Sequence, residues 1–107
     1  METIWHLTVS GTPASPGDEG FVHCSFTGQL AGTLEAHFTG ADEVTLLRLD
    51  PDAIATALGG DALKLEPSRG GQTFPHLYGE VPDAAIVDRI AVARGADGHF
   101  NLSAVPS

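Results

Sequence analysis

The order of apolar and polar positions divides the chain into short strand-like runs and two helical ones. Ile4 to Val9 mixes β-branched, aromatic and leucine residues and predicts a first strand carrying His6. Ser10 to Glu19 (SGTPASPGDE) gathers Gly, Pro, Ser and Asp, the composition of an exposed, mobile loop. Gly20 to Ser25 (GFVHCS) is the next apolar run, a second strand or strand-like turn. Thr27 is placed to cap a helix reaching about Phe38, with Leu30, Leu34 and Phe38 as its buried stripe.

Gly40 and Asp42 punctuate the chain before Val44 to Leu49 (VTLLRL), the clearest strand. Asp50-Pro51 reads as an N-cap followed by proline at the first helical position, and Gly59-Gly60 closes the short helix. Ala62 to Glu66 is a further strand, Pro67 to Thr73 a loop with Gly70-Gly71, and Phe74 to Gly79 (FPHLYG) follows. Ile86 to Ala93 is another strand, and Ala96-Asp97-Gly98 has the residues of a hairpin turn into His99 to Leu102. Two short helices among several strands predict an α+β fold with a curled, largely antiparallel sheet.

With 107 residues, 42% of them hydrophobic and 18% charged, the chain has the size and composition of one globular domain. Fourteen acidic against five basic residues give a net charge of −9. That balance argues against non-specific nucleic-acid binding and against an anionic membrane surface, both of which need clustered Lys and Arg. The single cysteine, Cys24, excludes an internal disulfide and a multi-thiolate zinc site. The start of the chain shows no signal peptide and no stretch is long enough to span a bilayer, so a cytoplasmic location is expected.

Candidate chemistry rests on histidine. His6, His23 and His76 each sit among apolar or aromatic residues, where an imidazole is partly desolvated and needs hydrogen-bond partners. Three separate core histidines bonded to backbone is one reading; a shared pocket is the other, favoured by the small and hydroxyl residues beside each. His37 and His99 are assigned to structure or surface. HxxxH and HxH spacings are absent, although a three-histidine metal site remains an alternative. Cys24 reads as buried and inert, since its neighbour His23 points to the opposite face of a strand. Ser25 and Gln29 flank the helix start, where they either cap it or bond a ligand. Glu66 and Arg69 form either a solvated turn or a charged pocket mouth, and Tyr78 is a core aromatic or a stacking wall.

The segments His6-Leu7-Thr8, GFVHCS with Gln29, Glu66-Pro67, Gly70-Gly71 and FPHLYG resemble, in that order, the bacterial domain-of-unknown-function family 952. The likeness covers about Ile4 to Val92. That family is grouped with the ADP-ribosyltransferase-like folds, so the resemblance implies a curved, split, largely antiparallel sheet with a cleft for NAD. It implies that His6 bonds a ribose, that His23 and Ser25 line the pocket, and that His76 and Tyr78 close it. Glu66 would stand in for the carboxylate many such transferases use. One departure is visible: Leu7 to Glu19 replace, as a loop, the amphipathic helix usual in the family.

The expectation is therefore a domain that binds NAD or a related nucleotide in a histidine-lined cleft. Catalytic roles fall to His6, His76 and Glu66, and ligand contacts to His23, Ser25, Gln29, Tyr78 and Arg69. ADP-ribosyl transfer or hydrolysis is one outcome; a non-catalytic nucleotide-binding module and a histidine-based metal-dependent hydrolase are the alternatives.

Overall fold

A computed structural model describes residues 2–67 and 69–106, with the side chain of Arg69 left aside. Its strands are β1 (Ile4–Thr8), β2 (Val22–His23), β3 (Ser25–Phe26), β4 (Glu43–Leu49), β5 (Leu63–Pro67), β6 (Thr73–Leu77) and β7 (Ile86–Ala93). The α-helices are α1 (Leu30–His37) and α2 (Pro51–Leu58). Two sheets result, ordered β3-β1-β4-β7 and β2-β6-β5, and every strand pairing among the described residues is antiparallel. The α+β class and the two short helices agree with the pattern of the sequence.

All five residues of β1 are buried, because both faces of the β1–β4 pair are covered. Trp5 and Leu7 pack with Val44, Leu46, Val92 and the α1 residues Leu30 and Leu34. Ile4 packs on the other face with Leu47, Leu49, Ile54 of α2 and Leu77 of β6. His6 lies opposite Leu47 and shares the alternation of Ile4, so it faces the second sheet.

The GFVHCS run is where the chain changes sheets. Val22 and His23 pair with Leu77 and His76 of β6. Cys24 still donates its N–H to Pro75 O at 3.0 Å, and Ser25 then pairs with Trp5 of β1. One apolar run thus makes two two-residue strands rather than one.

Two local expectations are revised. The Thr27 hydroxyl accepts the Trp5 indole N–H at 2.9 Å and does not cap a helix; residues 27–29 form a 3-10 turn ahead of α1. A wholly buried indole needs a partner for its N–H, and that demand takes the hydroxyl. The return segment after Gly98 makes a single bridge, Arg94 with Phe100, rather than a strand. Its polar turn residues bond locally, as when Asp97 Oδ1 accepts from His99 N–H at 3.0 Å. The cap of α2 is as expected: Asp50 Oδ1 accepts from Asp52 N–H at 3.0 Å, Pro51 opens the helix, and Gly59 ends it at φ +101°.

Candidate functional site

Where the two sheets part, β1, β2, β3 and α1 enclose a cleft of about 430 Å³. Strands supply His6, His23 and Ser25; α1 and its C-cap supply Thr33, His37 and Phe38. The segment before β2 adds Glu19 and Phe21 at the rim. This volume lies toward the small end of ligand pockets, which run from about 300 to 1,000 Å³.

His6 has both ring nitrogens engaged. Its Nδ1 donates to His23 O at 2.8 Å, and its Nε2 accepts the Ala14 N–H at 3.1 Å. A carbonyl can only accept and an amide N–H only donate, so these partners fix the neutral tautomer with hydrogen on Nδ1. Burial pushes the His6 pKa below its ordinary value, against a smaller upward pull from the His23 carbonyl. The ring is a wall of the cleft and a post for the loop that contains Ala14.

That loop is exposed in composition yet pinned at several points. Thr8 Oγ1 donates to Thr12 O at 2.8 Å, Arg89 Nη1 to Gly11 O at 2.9 Å, and Ser15 Oγ to Glu80 Oε1 at 2.9 Å. Ser25, fully buried, shares a 2.8 Å hydrogen bond with Thr33 Oγ1 and so ties β3 to α1. Gln29 spends both ends of its amide: Oε1 accepts from Phe26 N–H at 3.0 Å and Nε2 donates to Thr73 O at 2.9 Å. Gln29 therefore staples the helix entrance to β6 and does not line the cleft.

His76 lies beside the cleft, behind Phe21. Its backbone pairs with His23, and the two imidazole centroids are 5.1 Å apart. The ring stacks on Phe21 at 4.0 Å with planes 17° apart. Nδ1 donates to Glu66 Oε1 at 2.9 Å, and the Tyr78 hydroxyl donates to the same oxygen at 2.5 Å. These two donors, that of Tyr78 the stronger, hold the Glu66 carboxyl below its usual pKa, with Lys64 adding a weaker electrostatic pull. The same bond raises the Tyr78 phenol. His76 Nε2 is buried with no hydrogen-bond partner among the described residues.

The structure places His6 and His23 in the cleft wall, while His76, paired with His23, stands beside the cleft and does not line it. It places Ser25 in the cleft wall, and Glu66, His76 and Tyr78 in an adjoining cluster. The Arg69 side chain lies outside the described residues. His37, assigned to structure or surface, lines the cleft, with its ring 5.7 Å from that of His23. The helical period carries the signal that finds it, since Thr33 and His37 stand one turn apart on α1. Glu19, Phe21 and Phe38 were also not singled out as site residues. His99 is at the surface, 3.3 Å from Glu35 Oε1. Cys24 is buried, and desolvation pushes its thiol up to about 12, which suits an inert packing residue.

Among the described residues, no group of three or more His, Cys, Asp or Glu is placed to hold a metal ion. No helix among them is long and apolar enough to cross a membrane.

Residues 5–89 match the family model described as Protein of unknown function (DUF952). The crystal structure of protein CC0527 from Caulobacter crescentus superposes with a TM-score of 0.77, covering 95% of this chain and 96% of that one at 24% identity. The solution structure of CC0527 gives 0.75 over 100% and 98%, at 27% identity. No curated protein matches the chain. The structural likeness establishes a shared fold and carries no activity with it.

Proposed function

We propose that this chain, which belongs to the DUF952 family of proteins of unknown function, binds NAD or a related nucleotide in the cleft between its sheets. The base and ribose end of the ligand enters. The observation that carries this reading is the convergence of Phe21, His23, His37 and Phe38 around a cleft of about 430 Å³. Flat aromatic and imidazole walls suit a planar heterocycle, while the Ser25 and Thr33 hydroxyls in the wall are buried and bonded to each other. The grouping of the sequence motifs with ADP-ribosyltransferase-like folds supports the same ligand class.

The fit is to one end of a dinucleotide. Among the described lining residues there is no Lys or Arg to meet a pyrophosphate, while Glu19 adds a negative charge at the rim. Backbone N–H groups would have to serve the phosphates. The donor arrangement also favours binding over transfer: the Glu66 carboxylate is occupied by His76 and Tyr78 and stands outside the cleft. The non-catalytic module is accordingly the better-supported form of the proposal, ahead of ADP-ribosyl transfer or a metal-dependent hydrolase.

Thermal melts with NAD, ADP-ribose, nicotinamide and divalent metals test it. A rise in Tm with NAD and nicotinamide, without release of nicotinamide from NAD, is the expected result. Release of nicotinamide converts the reading to transfer or hydrolysis. No shift with any of the three nucleotide-related compounds overturns it, and a shift with Zn²⁺ or Ni²⁺ alone replaces it with the metal-dependent reading.

A further inference from the structure

Phe21 belongs to the cleft and to its neighbouring cluster at once. It follows Gly20, whose φ of +83° lies in the left-handed region, and it precedes β2, so no ladder hydrogen bond holds it. Its half-buried ring lines the cleft while stacking on His76 and lying 5.4 Å from the Tyr78 ring. Beneath it, the His76 imidazole is held by Glu66 at Nδ1, and Nε2 is buried without a hydrogen-bond partner among the described residues. His76 as a whole is 5% exposed. Phe21 lies against the face of that imidazole, while a hydrogen bond at Nε2 runs in the ring plane, so the stacked apolar ring gives the nitrogen no partner.

We propose that Phe21 is the resident occupant of a ring-binding subsite, and that a planar aromatic ligand entering the cleft displaces it and stacks on His76 in its place. The inference rests on the cleft being a ring-binding site and extends that site beyond its present wall. Phe21 precedes the first paired residue of β2, so rotation about its own side-chain bonds moves the ring without disturbing the Val22–Leu77 pairing. His23 and Tyr78 flank the subsite, and the Glu66 carboxylate lies at its edge. A heteroaromatic ring bearing an N–H donor therefore fits better than a plain hydrocarbon ring.

Carbethoxylation of the folded protein with diethyl pyrocarbonate, mapped by mass spectrometry, tests the proposal. His99 serves as the exposed reference and His37 as the reporter for the cleft. In the unmodified chain His76 should react slowly, and Phe21→Ala should raise its rate at least tenfold with His99 unchanged. Should Phe21→Ala fail to fold, Phe21→Leu keeps the apolar bulk without the ring and should still give a several-fold rise. An unchanged His76 rate in the folded variant overturns the proposal. Saturating nicotinamide should protect both His37 and His76 in Phe21→Ala. Protection of His37 alone overturns the subsite and leaves the ligand reading standing; protection of neither overturns both.

Discussion

His6 and His76 occupy matching places in the two sheets, and their surroundings differ in a way that separates structure from opportunity. His6 sits on β1, a strand buried on both faces, and each of its nitrogens has a backbone partner. His76 sits on β6, in the smaller sheet, with one nitrogen on a carboxylate, the other unmatched, and its ring face against Phe21. Both are nearly buried, at 4% and 5% exposure, so burial alone does not distinguish them. The partners do. A satisfied imidazole holds a fold together, whereas a half-satisfied one leaves a nitrogen for something else to use.

Replacing each ring with phenylalanine puts that contrast to its strongest test. His6→Phe leaves the Ala14 N–H and the His23 carbonyl without their partner and should cost about 1–3 kcal/mol in urea denaturation. His76→Phe should cost less, because it removes one hydrogen bond and also removes the unmatched nitrogen. A larger loss for His76→Phe would break the comparison and make the Glu66 cluster the principal support of the smaller sheet.

The pH dependence of stability sharpens it further. The folded His6 pKa lies below the ordinary value of 6.5, so below that pH the unfolded chain takes up a proton that the folded chain refuses. Stability from this group is therefore complete above about pH 6.5 and falls as the pH drops toward the lowered folded value. Unfolding midpoints measured from pH 7.5 to 5 should decline, and His6→Phe should flatten that part of the curve. An equally steep curve in the variant would assign the dependence to another histidine.

The contrast also marks what could be read from residue order. β1 and β4 were legible from their β-branched, aromatic and leucine content, and the Asp50-Pro51 and Gly59 signals bound α2 correctly. The apolar settings of His6 and His23 and the two motifs point to the cleft that both residues line, whereas His76 stands beside it. The split of GFVHCS between two sheets was not legible, because a change of partner at Cys24 leaves no mark in hydropathy. Nor was the position of Glu66 outside the cleft, where His76 and Tyr78 hold its carboxylate. Gln29 was read as a ligand contact because a polar residue at a helix entrance invites that reading. Only its partners, Phe26 and Thr73, show it to be a staple between the sheets. His37, assigned to structure or surface, is exposed on α1 and also borders the cleft, which residue order alone does not reveal.

Ser25→Ala gives an effect of intermediate size. The hydroxyl is wholly buried and bonded to Thr33, so its removal should cost about 1 kcal/mol, the ordinary net value of one such bond. If Ser25 is also a ligand contact, the variant should lose more of the Tm shift with NAD than its own loss of stability explains. A shift that survives unchanged would confine Ser25 to tying β3 to α1.

The smallest expected effect is at Tyr78, on the exposed side of the His76 cluster. Its hydroxyl is the foremost reason that the Glu66 carboxyl stays ionised to lower pH than usual. Tyr78→Phe should lower the unfolding midpoint at pH 7 only slightly, since Tyr78 is partly solvent-exposed and its ring body remains. The carboxyl, followed by carbon-detected NMR, should nevertheless titrate at higher pH. A depressed folded pKa contributes stability above the unfolded value of about 4.5 and loses it as the pH falls through the folded one. The variant should therefore be less sensitive than the parent to acid below pH 4.5. His76 alone would then hold the carboxylate, and a Glu66 titration that does not move would show that His76, not Tyr78, is its principal partner.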